Sequence, residues 1–248
     1  ANNSDVPDKQ IASGQTVQVV VSKQVGDQST TTYGYDQALT AQGDGTFATP
    51  TTAMYYPQSG KGVSIYAFHP STAGASFTVA DDQSKADGTD YFKSDLLYSA
   101  KKDYPKQSAA HSLSFDHKLS KLTYELKSGT GSPTVAGATV EWMNVLKSAP
   151  FDKTTGVVGT ATGTAGTVKP HATHGAIIVP QTVNANKELL KVTLKDGGVL
   201  YYKPSVAQDF VEKQKYHYTI TVNLTGLSVE SSVSDWLPVT NRTGDATL

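Results

Sequence analysis

Apolar residues recur at every second position in many short segments of this chain, and no segment sustains the spacing of a helix. The longest alternating segment places polar residues between Tyr216, Tyr218, Ile220, Val222 and Leu224. Successive side chains of a β-strand point to opposite faces of a sheet, so this period is typical of a strand with one buried face. The pattern therefore predicts an all-β protein.

Two segments of the first half are typical of strands that contribute to a core. The first, residues 16–22, carries Val17, Val19 and Val21 at alternate positions. The second, residues 62–68, is apolar on both sides, as expected for a central strand covered on both faces. Shorter β-rich pieces between Gly, Asp and Pro residues predict further strands at 30–35, 45–47, 54–57, 76–79 and 95–99.

The second half has the same organisation. Residues 190–194 alternate, reach Asp196-Gly197-Gly198, and continue as a second alternating run at 199–203. An Asp-Gly pair supplies the left-handed conformation of a tight turn, so this segment predicts a β-hairpin. Further strands are predicted at 122–126, 137–146, 156–158 and 176–179.

The length of 248 residues exceeds the usual single-domain size of roughly 100 to 200 residues, which favours two domains. Residues 101–110 are polar, lack a period and contain Pro105, so we expect the junction near residue 107. Each half holds enough short strands for one sandwich. The prediction is two tandem antiparallel β-sandwich domains, 1–107 and 108–248.

Composition excludes several classes of partner. Lys and Arg number 21 against 22 Asp and Glu, so no net positive field recruits nucleic acid or an anionic membrane surface. The absence of cysteine excludes disulfides, thiolate catalysis and Cys-ligated metals. No apolar run approaches the roughly 20 residues that cross a bilayer.

Catalytic and metal-binding patterns are weak. The chain has no Gly-x-Ser-x-Gly elbow, no Walker loop and no dinucleotide-binding glycine motif. His171 and His174 form a His-x-x-His pair without a third ligand nearby, so we interpret them as loop residues. Residues 87–90 lack the ligand pattern of a calcium loop and predict a surface turn. No enzyme activity, metal or cofactor is expected.

Several ordered segments resemble the fimbrillin family, the pilus subunits of Bacteroidales surface fimbriae. The most specific is Phe115-Asp116-His117-Lys118-Leu119-Ser120-Lys121-Leu122, which is similar to a Phe-x-His-x-Leu-Ser-Lys-Leu signature. The remaining matches are, in chain order, Tyr56-Pro57, Val63 to Pro70, Asp95 to Tyr98, Ile178 to Thr182, Tyr216 to Val222 and Asp235-Trp236.

The resemblance implies two transthyretin-like sandwiches and a lipoprotein precursor lipidated on a cysteine upstream of Ala1. It further implies an adhesive fibre at the outer membrane, where the partners are other fimbrial subunits and a host or bacterial surface. In stalk subunits of the family, an Arg-specific protease removes the first strand, and a carboxy-terminal strand of another subunit fills the groove. Membrane attachment would be through the lipid alone, and catalysis is not implied.

Two departures from the family pattern bear on this role. No arginine precedes Arg242, so the expected processing site is Lys23, and the strand released would be the one that carries Val17, Val19 and Val21. Only twelve residues follow Trp236, about 40 Å when extended, which suffices for one donor strand through Leu237, Val239 and Leu248. A tip or accessory subunit is therefore an alternative to a stalk subunit.

Two alternatives lie outside the structural class. The pairs Tyr55-Tyr56 and Tyr201-Tyr202 favour a secreted carbohydrate-binding β-sandwich module, since aromatic faces stack on sugars. Neighbouring strand residues point to opposite faces, however, so each pair offers one ring per surface. A secreted hydrolase is the other alternative, with a carboxylate pair that no motif reveals.

Overall fold

A computed structural model describes residues 10–242 of the chain, and these residues form nineteen strands and one short helix. The first half contains β1 (Thr16–Lys23), β2 (Tyr35–Thr40), β3 (Val63–His69), β4 (Ser76–Thr78), α1 (Thr89–Ser94), β5 (Leu97–Tyr104) and β6 (Ser112–His117). The second half contains β7 (Ser120–Ser128), β8 (Thr139–Val145), β9 (Ser148–Asp152), β10 (Val157–Val158), β11 (Gly166–Val168), β12 (Ala176–Ile178), β13 (Gln181–Val183), β14 (Leu190–Thr193), β15 (Val199–Tyr202), β16 (Gln208–Phe210), β17 (Gln214–Asn223), β18 (Gly226–Asp235) and β19 (Val239–Arg242). The all-β prediction is confirmed.

Five strands of the first half and β19 form one six-stranded antiparallel sheet, which we call the first sheet, with the order β19-β6-β5-β3-β1-β2. One face of the first sheet carries the apolar residues of β1 and β3 and is buried. The core on that face comprises Ile11, Val17, Val19, Val21, Leu39, Ala41, Phe47, Val63, Ile65, Ala67, Leu97, Leu113 and Phe115. The strands predicted at 16–22 and 62–68 are confirmed as β1 and β3.

Irregular segments cover this core where strands were predicted. Phe47 is buried but makes only an isolated bridge to Ala41, and Met54 and Tyr56 pack on the core from a segment without strand structure. Left-handed glycines at 43 and 45 turn the chain before Phe47 and prevent a regular ladder there. The strands predicted at 45–47 and 54–57 are therefore wrong, although Phe47 is buried and Met54 and Tyr56 are partly buried.

The second half forms a sandwich of two four-stranded sheets, which we call the carboxy-terminal sandwich. One sheet has the order β11-β8-β14-β15 and the other the order β12-β7-β17-β18. Their facing sides bury Trp142, Tyr218 and Ile220 among nineteen core residues. Strands β7 and β17 run parallel, and every other pair in these two sheets is antiparallel.

The strongest local predictions of the second half are confirmed. Strands β14 and β15 form the predicted hairpin, in which Gly197 has a φ of 93° and the Leu194 N–H donates to the Gly198 carbonyl at 2.7 Å. Strand β17 has ten residues with alternating burial, as its apolar period indicates. Its partner β18 was not predicted, because its sequence GLSVESSVSD has few apolar residues.

The two halves share a hydrophobic cluster and a small sheet. Strand β4 of the first half pairs with β9 of the second, and β10 completes this three-stranded sheet. The junction cluster beside it contains Phe68, Ala73, Phe77, Val79, Tyr91, Leu96, Tyr98, Leu119, Ala149, Phe151, Ile177, Val179 and Trp236. The halves are therefore held together by burial as well as by hydrogen bonds.

The predicted boundary at 107 falls between two strands of one sheet. Strands β5 and β6 pair with each other, with Leu97 opposite His117, so β6 belongs to the first sheet. The polar residues 101–103 of the predicted junction segment are exposed residues near the end of β5, and Tyr104 packs against the first core. We propose two domains whose junction follows His117, with β19 returning to the first.

Candidate strand-exchange site

Strand β1 lies inside the first sheet, where both of its edges are paired. Six residues of β1 pair with β2 on one side and six with β3 on the other. The three residues predicted for the released strand, Val17, Val19 and Val21, are all buried in the core. Removing β1 would therefore expose two backbone ladders and an apolar groove between them.

The amino end of β1 is fixed by hydrogen bonds to the end of β3. The carbonyl oxygen of Thr16 accepts from the backbone N–H of Ser71 at 2.9 Å and lies 2.9 Å from Nδ1 of His69. The hydroxyls of Thr16 and Ser71 are 2.7 Å apart, and Nε2 of His69 lies 3.0 Å from the carbonyl oxygen of Phe92. This end of the strand is tied to both β3 and α1.

Lys23, the predicted processing site, is the last residue of β1 and leads into a surface loop. Its ammonium donates to the carbonyl of Ser29 at 2.5 Å, and Val25 in the loop is 87% exposed. Asp27 organises the loop by accepting from the hydroxyl of Ser59 at 2.6 Å and from the N–H of Ser29. These hydrogen bonds lower the pKa of Asp27 to about 2.

Two of the three predicted donor residues lie within the described part of the chain. Leu237 is 73% exposed between β18 and β19. Val239 begins β19, which pairs with β6 of the same chain and places Val239 opposite Phe115. Leu248 lies outside the described residues. The segment predicted to complement another subunit thus extends the chain's own first sheet.

Trp236 anchors the chain where it crosses from β18 to β19. Its ring stacks on His117 with centroids 3.7 Å apart and an interplanar angle of 9°, and the backbone N–H of Trp236 donates to the carbonyl of Lys213. Nδ1 of His117 lies 2.8 Å from a carboxylate oxygen of Asp95. The ammonium of Lys121 is 5.7 Å from the Trp236 ring. Residues His117 and Lys121 of segment 115–122, which resembles the fimbrillin signature, therefore lie against Trp236. The sequence alone did not predict this contact.

The His-x-x-His pair has a structural role in a loop. Nδ1 of His171 accepts from the backbone N–H groups of Thr173 and His174, each at 3.1 Å, so its lone pair is not available to a metal. Burial and the nearby His174 lower the pKa of His171. Among residues 10–242, no group of three metal-ligating side chains occurs.

The tyrosine pairs divide between surface and interior, as their alternation predicts. Tyr55 and Tyr201 are 58% and 45% exposed. Tyr56 packs against the first core, and its hydroxyl lies 2.9 Å from Nε2 of His111, whereas Tyr202 packs against the sandwich core. Each pair therefore presents one ring to solvent. No helix in the described part of the chain is long and apolar enough to cross a membrane.

Comparisons with known proteins agree with this architecture. A family model described as fimbrillin-like matches residues 4–236. A candidate fimbrium subunit, Fim1C, of Bacteroides uniformis is 29% identical over 82% of this chain and 71% of its own length.

Two solved structures have the same fold. A candidate cell adhesion protein of Bacteroides uniformis superposes with a TM-score of 0.69 and 26% identity, over 93% of this chain and 94% of that one. Another from Bacteroides ovatus gives a TM-score of 0.66 at 15% identity, covering 91% of this chain and 88% of that chain.

Proposed function

The chain belongs to the fimbrillin-like family, and we propose that it is a subunit of cell-surface fimbriae that assembles by β-strand addition between subunits. Fimbrillin-like proteins are structural and adhesive, and this membership confirms that the chain is not an enzyme. Its partners are other fimbrial subunits. The finer expectation of a lipid anchor at the outer membrane is part of the proposal.

The main support for the proposal is the position of β1 between β2 and β3 in the first sheet. An interior strand has two hydrogen-bonded edges, so its loss leaves the facing edges of β2 and β3 without partners. The buried valines of β1 leave an apolar groove at the same place. A strand from a second subunit that carries apolar residues at alternate positions would pair with the edges of β2 and β3 and fill the apolar groove.

Release of β1 requires cleavage after it. Lys23 ends the strand and precedes an exposed loop, so a lysine-specific protease would separate β1 from β2 there. The hydrogen bonds of Thr16 with Ser71 and His69 oppose the departure of the cleaved strand. We infer that an incoming strand displaces it progressively from the Lys23 end.

A tip or accessory role is the second candidate, and the pairing of β19 favours it. A stalk subunit must offer its carboxy-terminal segment to the next subunit. Here residues 239–242 pair with β6 of the same chain, and Trp236, three residues before Val239, is buried. A subunit that retains β19 in this position would not offer residues 239–242 to a neighbouring subunit, as expected of a tip or accessory subunit.

Limited digestion with a lysine-specific protease tests the proposal. The expected product has a new amino terminus at Gln24 and forms ladders that resist detergent but dissociate on heating. The Lys23→Ala variant should remain monomeric, whereas Lys187→Ala, which removes an exposed lysine elsewhere, should assemble like the parent chain. A cleaved protein that stays monomeric would support the tip role. Assembly of Lys23→Ala at the parent rate would contradict processing at this residue.

A further inference from the structure

A groove of about 500 Å³ lies on the carboxy-terminal sandwich, and none of its lining residues belongs to the first sheet. It exists because β11 pairs with β8 only opposite Trp142 and Val145 and then turns away. After that turn, Lys169 donates its N–H to the carbonyl of Asp81. Residues 139–141 of β8 thus face a gap on the β11 side. The volume is within the range of roughly 300 to 1,000 Å³ typical of small-ligand sites.

Polar and apolar residues both line the groove. Glu141, Lys191 and Thr193 lie on the outward side of β8 and β14, and Lys169 also belongs to the lining. The apolar part of the lining includes the buried residues Tyr124 and Val140. A few converging polar groups beside an apolar surface are the usual composition of a small-ligand site, in which the polar groups fix the orientation of the ligand.

The charges of the groove cancel in pairs. The Lys191 ammonium lies 2.6 Å from a carboxylate oxygen of Glu141, and the Lys169 ammonium lies 3.7 Å from a carboxylate oxygen of Asp82. No net charge is therefore left to attract an acidic or a basic ligand. The pair Glu141–Lys191 offers an acceptor and a donor side by side, and two neighbouring hydroxyl groups match this arrangement.

An exposed aromatic ring continues this surface. Tyr201 of β15 is directly opposite Lys191 of β14, which is in turn opposite Glu141 of β8. The three side chains form one row across the outward face of the sheet, and Tyr201 is 45% exposed. A tyrosine ring supplies a rigid apolar face for the C–H side of a sugar ring, next to groups that bind its hydroxyls.

We propose that this groove and Tyr201 form a binding site for a neutral oligosaccharide. The inference rests on the proposed adhesive function, and it identifies neutral oligosaccharides as the ligand and the groove with Tyr201 as the adhesive surface. Because the site lies outside the first sheet, ligand binding and strand addition are separable properties of the chain.

Titration of the intact chain, ¹⁵N-labelled and observed by NMR, tests the site. The probes are maltohexaose, cellohexaose, mannohexaose, galactohexaose and, as an acidic counterpart, hexagalacturonic acid. At least one neutral hexasaccharide should give saturable shifts at residues 139–141, 191–193 and 201. Glu141→Gln and Tyr201→Ala should each weaken binding roughly tenfold, the loss expected for one charge-assisted hydrogen bond or one stacking contact.

Two matched variants control for general effects. Glu230→Gln changes an exposed glutamate of β18, and Tyr55→Ala removes an exposed ring of the first half; both should bind like the parent chain. The proposal is overturned if no neutral probe binds at about 10 mM, if only the acidic probe binds, or if Glu141→Gln and Tyr201→Ala bind normally. The Glu141→Gln variant should also assemble after cleavage like the parent chain. A failure of ligand binding and a failure of strand addition can therefore be distinguished.

Discussion

Replacement of Gln83 by alanine should destabilise the protein, because it removes a buried amide that joins the two halves of the chain. Gln83 follows β4 in the first half, is 0% exposed, and reaches the free edge of β12 in the second half. Its Oε1 accepts from the N–H of Ile177 at 2.9 Å, and its Nε2 donates to the Ile177 carbonyl at 2.8 Å and the Ala80 carbonyl at 3.1 Å. The side-chain amide thus makes the two hydrogen bonds with Ile177 that the backbone of a neighbouring strand would make.

The magnitude follows from the groups left behind. Gln83→Ala leaves the N–H and the carbonyl of Ile177 buried without these partners, and each such group costs about 1–3 kcal/mol. Partial entry of water reduces the sum, so we expect a loss of about 3 kcal/mol in the free energy of unfolding. Gln83→Glu keeps the volume but places a carboxylate against the Ile177 carbonyl, and it should be at least as unstable.

Equilibrium unfolding in urea measures this loss. Trp142 lies in the carboxy-terminal sandwich and Trp236 in the junction cluster, so tryptophan fluorescence reports on both regions. The midpoint should fall by about 1 M for a slope near 3 kcal/mol/M. Gln58→Ala, at an exposed site, is the control and should change stability by less than about 0.5 kcal/mol. A similar small change for Gln83→Ala would refute the bridging role of the amide.

Three further predictions concern the junction, a turn and a buried histidine. Trp236→Ala removes the ring stacked on His117 and should cost about 3–5 kcal/mol, with faster hydrogen exchange in β6, whereas unchanged exchange in β6 would contradict its anchoring role. Gly88→Ala should cost more than about 1 kcal/mol in thermal unfolding, since Gly88 has a φ of 70° and an added Cβ would lie 2.5 Å from the Phe92 ring. The pKa of His171 is lowered, so its contribution to stability is complete above the ordinary value of 6.5 and is lost as the pH falls below it. His171→Gln should therefore flatten the decline in unfolding free energy between pH 7 and pH 5, and an unchanged slope would refute this origin of the decline.

Strands with a regular apolar period could be predicted from the sequence, because burial of one face dictates that period. Strands β1, β3 and β17 and the hairpin β14–β15 were found in this way. Strand β18 could not be found, since it is held mainly by its ladder with β17 and most of its side chains face solvent. Conversely, Met54 and Tyr56 have strand-like composition but cover a core from an irregular segment.

The details of the candidate site depend on contacts between distant residues. Nothing local in the sequence indicates that Gln83 pairs with Ile177, or that Trp236 stacks on His117. The helix α1 escaped prediction because its six residues are too few to display a period. The pairing of β19 with β6 joins segments more than a hundred residues apart, and no local propensity encodes such a choice.

The place of β19 in the first sheet also sets an order in time. A polypeptide emerges from the ribosome amino terminus first, and domains generally fold as their residues become available. Strands β1 to β6 are then complete while the residues of β19 have yet to appear, so the outer edge of β6 stays open until residues 239–242 have been synthesised. The first sheet to begin folding is the last to be finished, and a truncated or stalled chain keeps that edge unprotected.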